Sequence, residues 1–452
     1  MMEPTVLPRS EHTISRRDID PDALKVLYRL REHGYVAYLV GGSVRDLMLG
    51  RRPKDFDIGT SAHPYEIKKL FRNCWIIGRR FRLAHVKFGL KTIEVATFRR
   101  QVADLPAGPD GAAETPDSPA AEQTSAIADN VAFIHRDNSF GTPEEDAFRR
   151  DFTVNGMFYD IASFSVIDYV GGLDDLKRRV IRAIGDPHVR FVEDPVRMLR
   201  AVVMASRLDF QLDPDVIAAI ERHRELIRQA SPARMIEEYY KILRSGAAAK
   251  TFHALDETGL LELVTPELAG AGERFYESLI ALDAWRRQHP EIPASLTNPI
   301  LVGALVGPLG LLPAEAAPPR PARPAPPGKR VREPLSERVS IGTLPLARRD
   351  VDRFRHITML LPRLNEQALS VRQQRSIVHR PAFDEALTWL EIFGTDPDLI
   401  EVWKEQKAEH AGAAPAEHEP GGGQGIPPSG DRRRRRRRRR GGSRRRGPNS
   451  DV

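Results

Sequence analysis

Residues 39–60 read LVGGSVRDLMLGRRPKDFDIGT, and their types and spacing suit phosphate chemistry. Asp55 and Asp57 are two residues apart in KDFDIGT. If Phe56 and Ile58 turn to the core of a strand, a period of two sends both carboxylates to the other face. Two carboxylates on one face suit a divalent cation, Mg²⁺ before Mn²⁺, because Mg²⁺ binds through one or two carboxylates while keeping waters and substrate phosphates. Fifteen residues earlier an apolar strand runs into Gly41-Gly42 and then a helical stretch with Arg45 in its first turn. Glycines at a strand-to-helix turn let backbone N–H groups approach an anion, and an arginine beside them can pair with phosphate.

Two further carboxylates compete for a third place. Glu94, in TIEVATFRR, sits between Ile93 and Val95 on a strand pattern. Asp151 follows Arg149 and Arg150 in FRRDFTVNGMFYD, with Asn155 one helical turn later. Each also has a plainer reading, a solvent-facing strand acid for Glu94 and a helix cap for Asp151. Further on, Glu193-Asp194-Pro195-Val196-Arg197 opens a helix, and Asp194, Arg197 and Arg200 would share one face at i, i+3 spacing. A carboxylate beside guanidinium groups offers both acceptors and donors to a base edge.

The elements that must position these groups fall into two textures. Up to about residue 185, YVAYLVGG, DFDIGT, IIGRRF, HVKFG, TIEVATF, FTVNGMFYD and VIDYVGG read as strands among short helices. Beyond it, DPVRMLRAVVMASRLDF, DPDVIAAIERHRELIRQ and SPARMIEEYYKILRSG each begin with Asp or Ser followed by Pro, a helix-start pattern. The expected units are a disordered N-terminus (1–19), a head (20–185) holding a disordered loop (101–130), a helical neck (186–250) and a helical body (251–410). The body carries a Pro-rich segment (312–334), and a disordered Arg-rich tail (411–452) ends the chain.

Composition limits the partners. The chain has 452 residues, 41% of them hydrophobic, and a formal net charge of +7. That charge is local: Arg432–Arg440 and Arg444–Arg446 are all arginine, and without them the chain is acidic. Such a run self-repels and stays solvated, and its natural counter-charge is the phosphate of nucleic acid. With Cys74 as the one cysteine there is no intrachain disulfide, which fits a reducing compartment. The polar N-terminus does not read as a signal peptide, and PILVGALVGPLGLLP is too short and broken for a bilayer span. The expected setting is the cytoplasm, with no membrane contact.

LVGGSVRD, KDFDIGT, RRDFTVNGMFYD and EDPVRMLRA, in that order, resemble the class II nucleotidyltransferases of the polymerase-β superfamily. That group comprises bacterial poly(A) polymerases and CCA-adding enzymes, and IIGRRFRLAHVKFG with TIEVATFRR is similar to the poly(A) polymerase side. The resemblance covers roughly residues 36–245. It implies an α+β architecture: a polymerase-β-like head with a mixed sheet, all-helical neck and body domains, and a disordered basic tail. It further implies that Asp55 and Asp57 hold Mg²⁺, that Gly42 and Arg45 meet the triphosphate, and that Arg150 meets phosphate or sugar. Asp151 would be a further acidic site residue, and Asp194, Arg197 and Arg200 the nucleotide-selecting face. Val203 stands where the family commonly has another arginine. The implied activity is template-independent addition of AMP from ATP to RNA 3′ ends. The alternatives are a CCA-adding enzyme and a catalytically inactive RNA-binding scaffold. Expected partners are ATP and RNA 3′ ends, with RNA-decay machinery a further candidate, and the chain is expected to be a monomer.

Overall fold

The computed structural model describes residues 3–78, 82–100, 140–289, 291–310, 340–366 and 369–410. The loop expected at 101–130, the Pro-rich segment 312–334 and the tail 411–452 lie outside the described residues.

The head is built on an eight-stranded mixed sheet. Its strands are β1 (Thr5–Leu7), β2 (Ala37–Val40), β3 (Asp57–Thr60), β4 (Cys74–Ile77), β5 (Leu83–Phe88), β6 (Lys91–Thr97), β7 (Met157–Asp160) and β8 (Ser165–Asp168). Their spatial order is β1-β8-β7-β2-β3-β6-β5-β4, and β3–β6 is the parallel pair within it. Period-two patterning decides the faces. In β6, Ile93, Val95 and Thr97 are buried while Thr92 and Glu94 are exposed. Helix α1 (Pro21–Glu32) starts where Asp20 accepts hydrogen bonds from the amides of Asp22 and Ala23, with Pro21 preset for the first turn. It buries Ala23, Val26, Leu27 and Leu30, and with α3 (Pro64–Leu70) it leaves the opposite face of β3-β6-β5-β4 open.

Three expectations need correction here. The N-terminal segment is ordered over its described residues rather than disordered. β1 pairs with β8, the His12 ring bonds the Phe164 carbonyl (2.9 Å), and Ile14 is buried. TVN in FTVNGMFYD is not extended: Thr153–Asn155 forms a 3₁₀ turn, and the strand begins only at Met157. Finally, Asp194 does not lie on the helix that carries Arg197 and Arg200. That helix spans Val196–Leu208, whereas Asp194 caps the preceding helix Pro187–Glu193 in an extended conformation (φ −148°, ψ 96°). Pro195 explains this, because a residue before proline is pushed out of the helical region.

The neck continues through Pro214–His223 and Pro232–Leu243. It is tied to the head by a short parallel pairing of Val180–Ile181 with Gln211–Leu212. In the body, the apolar stretch near residue 300 is a core helix, Asn298–Val306, buried from Pro299 onward. Gly303 lets it approach Phe354 and Trp389, since a Cβ there would lie 2.2 and 2.5 Å from their rings. Among the described residues no helix is long and apolar enough to cross a membrane.

Candidate active site

The carboxylates gather at the open face of the sheet. Asp57 is the first residue of β3 and is solvent-accessible, with Ile58 buried behind it. Asp55 lies two residues before it, in the lead-in rather than in the strand, and is exposed. Ile58 pairs with Val95 across the parallel β3–β6 ladder, so Glu94 sits beside Asp57 on the same face. The Asp57 carboxyl is pushed up to about 6, first by the depth of protein around it, then by the charges of Glu94 and Asp55, against the pull of Arg150. Three acids close enough to feel one another fit a divalent cation, which would relieve that repulsion. Among the described residues no three His, Cys, Asp or Glu side chains already stand at ligating distance of a common point.

Above the acids runs the glycine turn. β2 ends at Val40, and Gly41 takes a conformation reserved for glycine (φ +70°, ψ −130°). Its N–H donates to the Met157 carbonyl (3.2 Å), so this amide is already engaged; Gly42 begins helix α2 (Gly42–Met48). The missing side chain at 41 makes room for Arg150, whose Nη1 would lie 2.9 Å from a Cβ there. Arg150 is anchored from behind by donating Nε and Nη2 to Asp146 Oδ2 (3.2 and 2.9 Å), and it lies over the Phe158 ring (5.4 Å). This cation therefore lies against the turn and within electrostatic reach of Asp57.

Arg45 and Asp151 sit deeper than the sequence suggested. Arg45 is buried, donating Nε and Nη2 to Asp46 Oδ1 (2.8 and 2.7 Å) and Nη1 to Asn155 Oδ1 (2.5 Å). The Asn155 amide in turn donates to Asp151 Oδ1 (3.3 Å). Asp151 Oδ2 accepts from Arg200 Nε and Nη2 (2.9 and 2.5 Å), and its other oxygen also accepts from the Phe152 amide (2.9 Å). Burial alone would raise the Asp151 carboxyl, but Arg200, Asn155 and the Phe152 amide hold it below the usual range. A single polar chain thus runs Asp46–Arg45–Asn155–Asp151–Arg200, from α2 into the neck.

The model of the family described as the poly A polymerase head domain matches residues 37–182, which span the glycine turn, all three open-face acids and Asp151. Residues 37–182 are thus similar to a poly A polymerase head domain. A second family model, described as the "probable RNA and SrmB- binding site of polymerase A", matches residues 209–271. The chain is 49% identical over 264 residues to Poly(A) polymerase I of Salmonella typhi, covering 58% of this chain and 54% of that protein. It is 36% identical over 256 residues to a CCA-adding enzyme of Lactobacillus helveticus, covering 57% and 58% respectively. The chain thus spans little more than half the length of the curated relatives it matches. The structure of the Bacillus stearothermophilus CCA-adding enzyme in complex with CTP superimposes with a TM-score of 0.58 at 27% identity, over 86% of this chain and 83% of that one.

Against this head the neck supplies partners that its own motif did not announce. Asp194 accepts two hydrogen bonds from Arg234 (3.1 and 2.8 Å), and Arg197 donates to Glu193 (2.9 Å) and to the Arg190 carbonyl (3.1 Å). Arg197 and Arg200 share a helix but serve different neighbours. Arg190 is buried and donates to the carbonyls of Arg149 and Arg150 (2.9 and 2.6 Å), bracing the arginine pair of the head. Arg207 reaches back to Asp46 (3.4 Å). Its spacing of seven from Arg200 places both on one helix face, a signal the sequence does hold.

Proposed function

We propose that the chain transfers AMP from ATP to the 3′ ends of RNA without a template. The observation that carries this reading is the approach of Asp55 and Glu94 to Asp57 at the open sheet face, with Arg150 against the glycine turn and within electrostatic reach of Asp57. The 49% identity to a poly(A) polymerase supports it.

The reaction joins the RNA 3′-oxygen to the α-phosphorus of ATP as the bond to the β-phosphate breaks and pyrophosphate leaves. Bound by Asp55, Asp57 and Glu94, a divalent cation, Mg²⁺ in this reading, would supply neutralisation of phosphate charge and activation of the hydroxyl. Arg150, fixed by Asp146, faces the developing phosphate charge without having to reorganise. Gly42 lets the triphosphate approach the backbone. Arg45 and Asn155 hold the turn from beneath. Asp151 receives Arg200 and locks the neck to the head, and Glu94 is the third acid. Asp194 and Arg197 keep the base contact expected of them.

The second reading, CCA addition, rests on the 36% identity to a CCA-adding enzyme and the fold shared with the CTP complex. The test of transfer itself offers each nucleoside triphosphate separately with Mg²⁺ and a labelled unstructured RNA. ATP-dependent ladders that vanish in Asp55→Ala/Asp57→Ala protein are expected. Unchanged RNA with every nucleotide would refute transfer.

A further inference from the structure

The sheet continues past the acids, and nothing in the transfer reading uses what lies there. Across β3-β6-β5-β4 the ladder registers align one row of side chains: Asp57 beside Glu94, Glu94 opposite His85, His85 opposite Trp75. The row is physical as well as formal, since His85 Nε2 lies 3.6 Å from Glu94 Oε1. It ends on the edge strand at Trp75, which is 51% exposed, with Ile77 beside it on the same face at 48%. Lys87, two residues along β5 from His85, holds its ammonium 5.2 Å from the Trp75 ring centroid. Beneath this face Cys74, Ala84, Val86, Ile93 and Val95 are buried, so the platform stands on rigid core.

Trp75 and Ile77 together leave an exposed apolar patch at the rim of the sheet. Three strand steps separate Trp75 from Asp57, about 14 Å, the reach of a short single-stranded end whose terminus lies at the acids. A base can stack on an indole whatever its identity, and an ammonium beside the ring suits the backbone phosphate. We propose that Trp75 and Lys87 form a stacking platform for a base of the RNA strand just upstream of its 3′ end. This deepens the transfer reading and rests on it for the position of the terminus.

The experiment follows RNA binding and extension separately. Trp285 and Trp403 are buried and Trp389 half-buried, so fluorescence quenching by a short oligoadenylate, compared between the wild-type chain and Trp75→Phe, reports Trp75. Trp75→Ala is expected to raise KM for RNA roughly tenfold, with KM for ATP and the melting temperature unchanged. Trp75→Phe, which keeps a ring, should recover most of the loss. Quenching in a wild-type chain that extends no RNA would uphold the platform while removing the transfer reading. An unchanged KM for RNA in Trp75→Ala, with no quenching, would overturn the platform. So would loss of self-association in that variant with RNA binding intact, which would assign the face to a second copy of the chain.

Discussion

Arg200, on the neck helix, donates both Nε and Nη2 to the single oxygen Oδ2 of Asp151 in the head. The carboxylate is buried, so removing its cation leaves a stranded charge. Arg200→Ala should therefore cost about 3 kcal/mol in urea unfolding, and Arg200→Ala/Asp151→Asn should recover much of it. Equal losses in the single and double variants would show that the pair does not couple head to neck.

The same pair sets a pH dependence. Burial raises the Asp151 carboxyl, but Arg200, Asn155 and the Phe152 amide outweigh it, so its folded pKa lies below the unfolded one. Its contribution to stability is complete above the unfolded value, near 3.9, and is lost as the pH falls through the lower folded value. In Arg200→Ala only burial and the weaker donors remain, and the sign should reverse, with stability falling as the pH rises above about 4. Denaturant unfolding from pH 3 to 7 reads both slopes.

Gly41→Ala should disturb stability and site together. The residue sits at φ +70°, and a Cβ would lie 2.9 Å from Arg150 Nη1. We expect a loss of about 1–3 kcal/mol, with kcat reduced because Arg150 must move off the turn. Unchanged kcat with reduced stability would place Arg150 outside the reaction.

Part of this was legible in the sequence. The glycine turn and the acids on β3 and β6 follow from period-two burial, a local property. Which strands become neighbours is not local, so Glu94 could be weighed against Asp151 but not placed beside Asp57 until β3 and β6 were seen paired. The sequence presents Arg45 as a phosphate contact but does not show its partner Asn155, which lies 110 positions away. The spacing of Asp194 fits a helix face, but Pro195 disfavours the helical conformation there. β1 is three residues long, too short for alternation to show.

Asp57→Asn separates function from stability. Removing one of three mutually repelling carboxylates should leave the melting temperature unchanged or raised, while transfer falls about a thousandfold. A matching fall in both would mean that Asp57 is structural.

The most direct measurement supplies ATP and CTP together to a tRNA lacking its terminal CCA and to an unstructured RNA, and sizes the products. Long adenylate tails on both RNAs are predicted. A stop after three added nucleotides on the tRNA, with the unstructured RNA untouched, would contradict polyadenylation and assign the site to CCA addition.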